Sequence, residues 1–238
     1  MTEELFREDA SLTRCEAQVL RHDEQGLLLD RTVCYPMGGG QAGDAGWVLT
    51  AQGQRLDIVD TRKGAAPGEI LHLLAVPQGL PLLPPGTRVT VFIDEARRRA
   101  HMRFHTATHL LCALVPHPVD GCSITAAYAR LDFHMTEPLD KDRLNEGLAR
   151  LVAQAHAVRH RWISEVELDA NPQLVRSMSV QPPRGQGRVR VLEIEGVDLQ
   201  PCGGTHVANT AEVGEVRVTK IEKKSARTRR VVLGFATG

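Results

Sequence analysis

Two histidines four residues apart, His105 and His109, stand far along the chain from a cysteine and a histidine with the same spacing, Cys202 and His206. A helix repeats every 3.6 residues, so it would bring His105 and His109 onto one face. The stretch Cys202-Gly203-Gly204-Thr205-His206 follows Pro201, and its two glycines allow the backbone to turn tightly. Three imidazoles and a thiolate are a donor set that suits Zn²⁺. Either pair alone is common. Both in one chain require a fold that returns the loop near residue 202 to the helix near residue 105, with one zinc ion expected per chain.

The remaining pattern divides near residue 93. Residues 1–93 read as β structure: Thr13–Leu20 with Cys15, Ala17 and Val19 on one face, a turn at Asp23–Gly26, and Leu27–Leu29 resuming the sheet. A hairpin joins Trp47–Leu49 to Leu56–Val59 through Gln52-Gly53, and Ile70–Val76 and Val89–Ile93 supply further strands. Short strands with frequent turns indicate a small barrel or sandwich. Residues 77–81 and Pro84-Pro85-Gly86 form a constrained loop. Within this region Gly38, Gly39 and Gly40 permit close approach or positive φ, and Gln41 is the polar side chain such a loop presents. No Lys-Ser/Thr pair follows these glycines, so a phosphate loop is excluded.

Residues 94–238 read as α+β. Asp94 is expected to cap a helix that ends before Pro116, with Phe104, Ala107, Leu111 and Leu114 on its apolar face. Thr106 and Thr108 flank the paired histidines; their hydroxyls can meet a ligand or bond back to the helix. One or two strands are expected over 121–134, a long helix over 138–160, and a strand over 163–168. A short helix opened by Asn171-Pro172, a strand over 189–194 and a closing pair over 213–221 and 229–235 complete the unit.

Lys and Arg total 29, as do Asp and Glu, so any nucleic-acid surface must concentrate its charge locally. Arg97–Arg99, the arginines at 184, 188 and 190, and the run from Lys220 to Arg230 are the candidates. Five scattered cysteines argue against a disulfide framework and fit a reducing compartment. No apolar run approaches the ~20 residues that span a membrane. The acidic start Met1–Leu5 lacks a signal-peptide core, so a cytoplasmic location is expected.

Four stretches resemble one family in the same order. His105–Leu111 and Cys202–Gly214 resemble the editing domain of alanyl-tRNA synthetases, Tyr35–Gln41 with Asp44 and Gly46 resembles that family's glycine-rich motif, and Arg229-Arg230-Val231 looks like its closing strand. The length excludes an additional aminoacylation domain, so the chain resembles the free-standing AlaX proteins of medium length. The resemblance implies a translation-factor-like β-barrel before an α+β editing domain, with zinc on His105, His109, Cys202 and His206. It implies hydrolysis of tRNA(Ala) mischarged with serine or glycine, and a monomer is expected. Cys34 and Met37 depart from the usual glycine-rich pattern, which bears on the loop beside Gln41.

Gln41 and Thr106 are the residues expected to orient water or substrate, and the amides of Gly38 to Gly40 to bind it. Zinc with four protein ligands also describes a closed structural site. A zinc-stabilised tRNA-binding module without turnover is therefore the rival reading. A zinc peptidase is disfavoured because position 106 is Thr where His-Glu-x-x-His needs Glu. The threonyl-type editing domain is disfavoured by the glycine-rich motif.

Overall fold

The computed structural model describes residues 1–75, 82–178 and 187–236. They fall into two compact units, Met1–Gly38 with Ala42–Arg99, and Gly39–Gln41 with Ala100–Gly238.

In the first unit, β1 (Glu3–Glu4) is followed by β2 (Arg14–Asp23), β3 (Gly26–Leu29) and β4 (Arg31–Thr32). Next come β5 (Gly46–Thr50), β6 (Arg55–Lys63), β7 (Ile70–Leu74) and β8 (Arg88–Ile93). A closed barrel runs β2-β3-β7-β6-β5-β8, which decides between the barrel and sandwich alternatives, and β1 pairs separately with β4. Alternation drives the closure: Ala17, Val19, Val48, Leu56, Ile58, Val89, Val91 and Ile93 point into one apolar core. His72 is sealed within the unit, its ring between the Leu27 carbonyl at 3.0 Å and the Thr32 hydroxyl at 2.8 Å. Burial pushes its pKa down to about 4.

The glycine-rich loop leaves and re-enters this unit at a fixed gate. Asp44 Oδ2 accepts from the Tyr35 amide at 2.7 Å, and the Asp44 amide donates to the Tyr35 carbonyl at 3.0 Å. The buried Arg98 guanidinium pairs with the buried Asp44 carboxylate and also donates to the Val33 carbonyl at 2.6 Å and the Ala10 carbonyl at 2.8 Å. Arg98 is therefore internal structure and does not join Arg97 and Arg99 in a basic surface.

α1 (Glu95–Leu114) starts at Asp94, whose side chain accepts from the Arg97 amide at 3.0 Å. In the second unit it is followed by β9 (Val119–Ile124), β10 (Ala129–His134) and α2 (Lys141–Ala153). β11 (Val158–Ser164), α3 (Glu165–Ala170), β12 (Arg188–Ile194), β13 (Asp198–Pro201), β14 (Val216–Ser225) and β15 (Thr228–Phe235) complete it. One antiparallel sheet has the order β14-β15-β10-β9 and a second the order β11-β12-β13. Phe104, Ala107, Leu110 and Leu111 of α1 share a core with Leu131, Phe133, Leu148, Val218, Val231 and Leu233. α2 reaches α1 where a Cβ on Gly147 would come within 2.8 Å of a Leu114 methyl, so a larger residue there requires the leucine side chain to shift.

Several boundaries differ from the sequence expectation. The helix over 138–160 runs only from Lys141 to Ala153, because Asp140 caps it by accepting from the amides of Asp142 and Arg143. Ala155 then takes φ 54°, in the left-handed region, and turns the chain away. His160 lies in β11, not in a helix. The strand expected over 163–168 ends at Ser164, whose hydroxyl accepts from the Glu167 amide and starts α3. Asn171-Pro172 opens only a 3₁₀ turn, Pro172–Leu174, and the Asn171 side chain makes no cap. Val213 belongs to a 3₁₀ turn capped by Asn209 and Glu212, so the closing pair begins at Val216. Val76, residues 77–81 and Arg184 lie outside the described residues.

Candidate metal centre

α1 delivers His105, Thr106 and His109, and the segment after β13 delivers Cys202 and His206. One donor atom from each of His105, His109, Cys202 and His206 lies within 4.8 Å of the others. Cys202 Sγ is 3.4 Å from His105 Nε2 and 3.2 Å from His206 Nε2. A tetrahedral zinc with ordinary Zn–N and Zn–S bonds needs N···S edges of about 3.5 Å. The ring centroids are 4.2 to 5.5 Å apart. His101, one turn before His105, is fully buried but stands outside the group.

Each imidazole is held through its other nitrogen. His105 Nδ1 lies 2.8 Å from Gln41 Oε1, His109 Nδ1 lies 2.8 Å from Asp198 Oδ2, and His206 Nδ1 lies 3.3 Å from Thr106 Oγ1. With Nδ1 keeping its proton in these contacts, Nε2 is the nitrogen left to offer its lone pair to a metal, once any proton on it has been displaced. Gln41 is fully buried. Its Oε1 also accepts from the Thr205 amide at 3.1 Å, and its Nε2 donates to Thr205 Oγ1 at 2.9 Å. Thr106 is equally buried and its Oγ1 accepts from the Val207 amide at 3.3 Å. Both side chains are thus engaged with the histidine-bearing segments.

Three residues that the motifs did not reveal complete the support. Asp198 is gripped by Gln200 Nε2 at 2.9 and 3.0 Å, and Arg176 lies 3.8 Å away. Arg190 Nη1 donates to the carbonyls of Cys202 at 2.9 Å and Gly204 at 3.1 Å, so the arginine pins two points of the loop. Gly204 is obligatory: a Cβ there would lie 2.1 Å from His105 Cε1 and 2.4 Å from Nδ1. The only sequence signals for Asp198, Gln200 and Arg190 were polar residues in an otherwise apolar pair of strands.

The glycine stretch divides in character. Gly40, at φ 86°, packs so close that a Cβ would sit 2.9 Å from the Cys122 carbonyl, and its own carbonyl accepts from the Ile124 amide at 2.8 Å. Gly39, at φ 58°, is exposed, with open space where a side chain would go. The Gly38 carbonyl accepts from the Tyr35 hydroxyl at 2.8 Å.

The electrostatics suit a cation. Burial resists ionisation of Cys202, but His105 and His206 outweigh it and hold the thiol well below its usual range. His206 is kept neutral by burial and by His105. Burial also opposes charge on His109, yet Asp198 and Cys202 prevail and raise it to about 10. A thiolate facing three histidine rings, each anchored through Nδ1, fits a borderline-soft divalent ion such as zinc.

Fold and site together define a class: a closed-barrel unit and an α+β unit that carries a group of three imidazole nitrogens and one sulfur able to hold a metal ion. The family model for the threonyl and alanyl tRNA synthetase second additional domain matches residues 189–232, and that for class II (A) tRNA synthetases matches residues 7–97. The alanyl-tRNA editing protein AlaX-M of Saccharolobus solfataricus is 32% identical, over 97% of this chain and 98% of its own length. That of Methanosarcina barkeri is 33% identical over the same shares. The alanine–tRNA ligase of Metallosphaera sedula is 33% identical over 93% of this chain and 25% of the ligase. The chain belongs to the AlaX-M family of alanyl-tRNA editing proteins.

Proposed function

We propose that this chain is a zinc-dependent trans-editing hydrolase that deacylates tRNA(Ala) carrying serine, chiefly, or glycine, by cleaving the aminoacyl ester. The observation that carries the reading is the convergence of His105, His109, Cys202 and His206 in a chain similar from end to end to alanyl-tRNA editing proteins. In this reading residues 1–93 are a barrel domain of the translation-factor kind, and residues 94–238 are the editing domain. The protein acts in the cytoplasm as a monomer.

Bound zinc would supply a positive charge that polarises the ester or its attacking water. The chain's own residues would do the rest. Gln41 is a positioning residue: it fixes the His105 ring and ties it to Thr205. Thr106 does the same for His206. This supports roles for both through the ligands, in place of direct contact with substrate or water. Gly38 to Gly40 are the proposed substrate-binding stretch, and the open surface at Gly39 supports close approach of a substrate to its backbone. An ester is already activated, so orientation and charge suffice without a strong base.

The test is deacylation of Ser-, Gly- and Ala-charged tRNA(Ala) with and without a chelator. Loss of Ser-tRNA(Ala) hydrolysis on chelation and recovery with zinc is expected, and hydrolysis that persists in metal-free His105→Ala would refute the assignment. A second reading has one observation in its favour: four protein donors describe a closed structural site. It predicts tRNA binding without turnover in the same assay.

A further inference from the structure

One face of the sheet β11-β12-β13 serves the ligand cluster. Residues directly opposite each other in an antiparallel pair share a face. The pairs Trp162↔Arg190 and His160↔Leu192, with Leu192↔Gln200 and Ile194↔Asp198, therefore put Trp162, Arg190, Gln200 and Asp198 on one face. Asp198 and Gln200 hold His109, and Arg190 holds the Cys202 loop.

This row continues past Arg190. Arg188 is two residues along and on the same face, and its guanidinium carbon stands 4.5 Å from the centre of the Trp162 ring. β11 is an outer strand of its sheet, and Trp162 on it is 36% exposed. It is one of only two tryptophans in the chain and belongs to neither apolar core of its unit. On the opposite face Arg161 is matched by Glu167 and Glu193, each at 3.5 Å. The face turned towards the cluster thus ends in an indole with an arginine laid over it.

We propose that Trp162 and Arg188 form a stacking shelf for the unpaired 3′ end of the aminoacylated tRNA. The indole would take a base near the ester and the guanidinium the adjoining phosphate. The inference rests on the deacylase reading above and names where that substrate's last nucleotides lie. Every aminoacyl-tRNA carries its ester on a single-stranded tail. A tail with its ester at the cluster must leave along some neighbouring surface. Bases of any sequence stack on an aromatic ring, and arginine adds cation–π and phosphate contacts. Trp162 is the cross-strand partner of Arg190, at a Cα separation of roughly 5 Å. The Arg190 side chain reaches the Cys202 carbonyl. A tail of one or two nucleotides covers that interval.

The experiment uses the full chain loaded with zinc. In a Trp47→Phe background Trp162 is the single indole, and titration with an RNA ending in CCA should quench its fluorescence saturably. Trp162→Ala should raise KM for Ser-tRNA(Ala) roughly tenfold or more while kcat and zinc content stay within twofold of the parent, and Trp162→Phe should restore most of the loss. Arg188→Ala should raise KM and reduce the salt slope of binding by about one ion. Unquenched fluorescence, or an unchanged KM in both Trp162→Ala and Arg188→Ala, would overturn the shelf. Should Trp162→Ala fail to fold, the quenching titration and Arg188→Ala decide alone. Quenching by the RNA in a protein that hydrolyses no mischarged tRNA would support the shelf and sink the deacylase reading.

Discussion

Asp198→Asn separates the two things this carboxylate does to His109. The substitution keeps size and removes charge. The 2.8 Å contact to Nδ1 changes from a charge-assisted bond to a neutral one, a loss of about 1 kcal/mol or more. Outer partners of ligating histidines typically influence metal affinity about 10- to 100-fold. A second effect opposes the first. Asp198 helps raise His109 to about 10, so at neutral pH a proton occupies the metal-free ring and must leave when metal enters. At pH near 7.5 that displacement costs on the order of 3 kcal/mol, at 1.36 kcal/mol per unit. The parent should therefore bind zinc more tightly as pH rises towards 10. In the asparagine variant much of the proton penalty disappears, so its deficit at pH near 7.5 should be small, roughly tenfold or less. At pH near 9.5 the parent has shed most of its penalty, and the deficit should widen to the full 10- to 100-fold. Competition against a chromophoric chelator at the two pH values measures this. Equal deficits at both, or no deficit at the higher pH, would refute the reasoning.

Gly204→Ala places a methyl group 2.1 Å from His105 Cε1, so the ring must leave its position; zinc content well below one per chain and deacylation reduced about 100-fold or more are expected, checked by metal analysis and single-turnover assay. Arg98→Ala strands the buried Asp44 carboxylate at the root of the glycine-rich loop, and chemical denaturation should show a loss of about 3–5 kcal/mol. His72 has a folded pKa lowered to about 4 by burial, against about 6.5 when unfolded. The unfolded chain binds the proton first, so the contribution of neutral His72 is intact above pH about 6.5 and declines as pH falls towards 4. Replacing His72 with Gln should flatten that part of the stability profile, on the order of 3 kcal/mol, and an unaltered profile would count against it.

The ligand motifs were legible because helical spacing and a Gly-Gly turn are local properties of the chain. The barrel strands were legible for a similar reason, since alternation such as Ala17, Val19 and Val89, Val91, Ile93 reports one buried face. What stayed hidden depends on distant partners. Gln41 is legible as the polar side chain of a glycine-rich loop, but its partners are not: it is separated by 64 residues from His105 and by 164 from Thr205, both of which it bonds. Asp198, Gln200 and Arg190 carry no motif, and only the register of β12 against β13 brings them to the metal loop and its histidine ligands. The overlong helix arose because Leu144, Leu148, Leu151 and Val152 keep helical spacing up to the point where Ala155 adopts its left-handed conformation. Of the arginines and lysines that looked like surface charge, Arg98, Arg190 and Arg229 are buried. Lys224 and Arg230 converge on Asp132.

Each imidazole around the centre has its Nδ1 committed to Gln41, Asp198 or Thr106. Such a cage keeps its shape between one ion and the next. It selects weakly among first-row metals that accept nitrogen and sulfur, because affinity across such ions follows the metal more than the protein. Cobalt or nickel should therefore enter the emptied cage without refolding the chain. The ion recovered with the protein would then report the metal supply of the culture that made it.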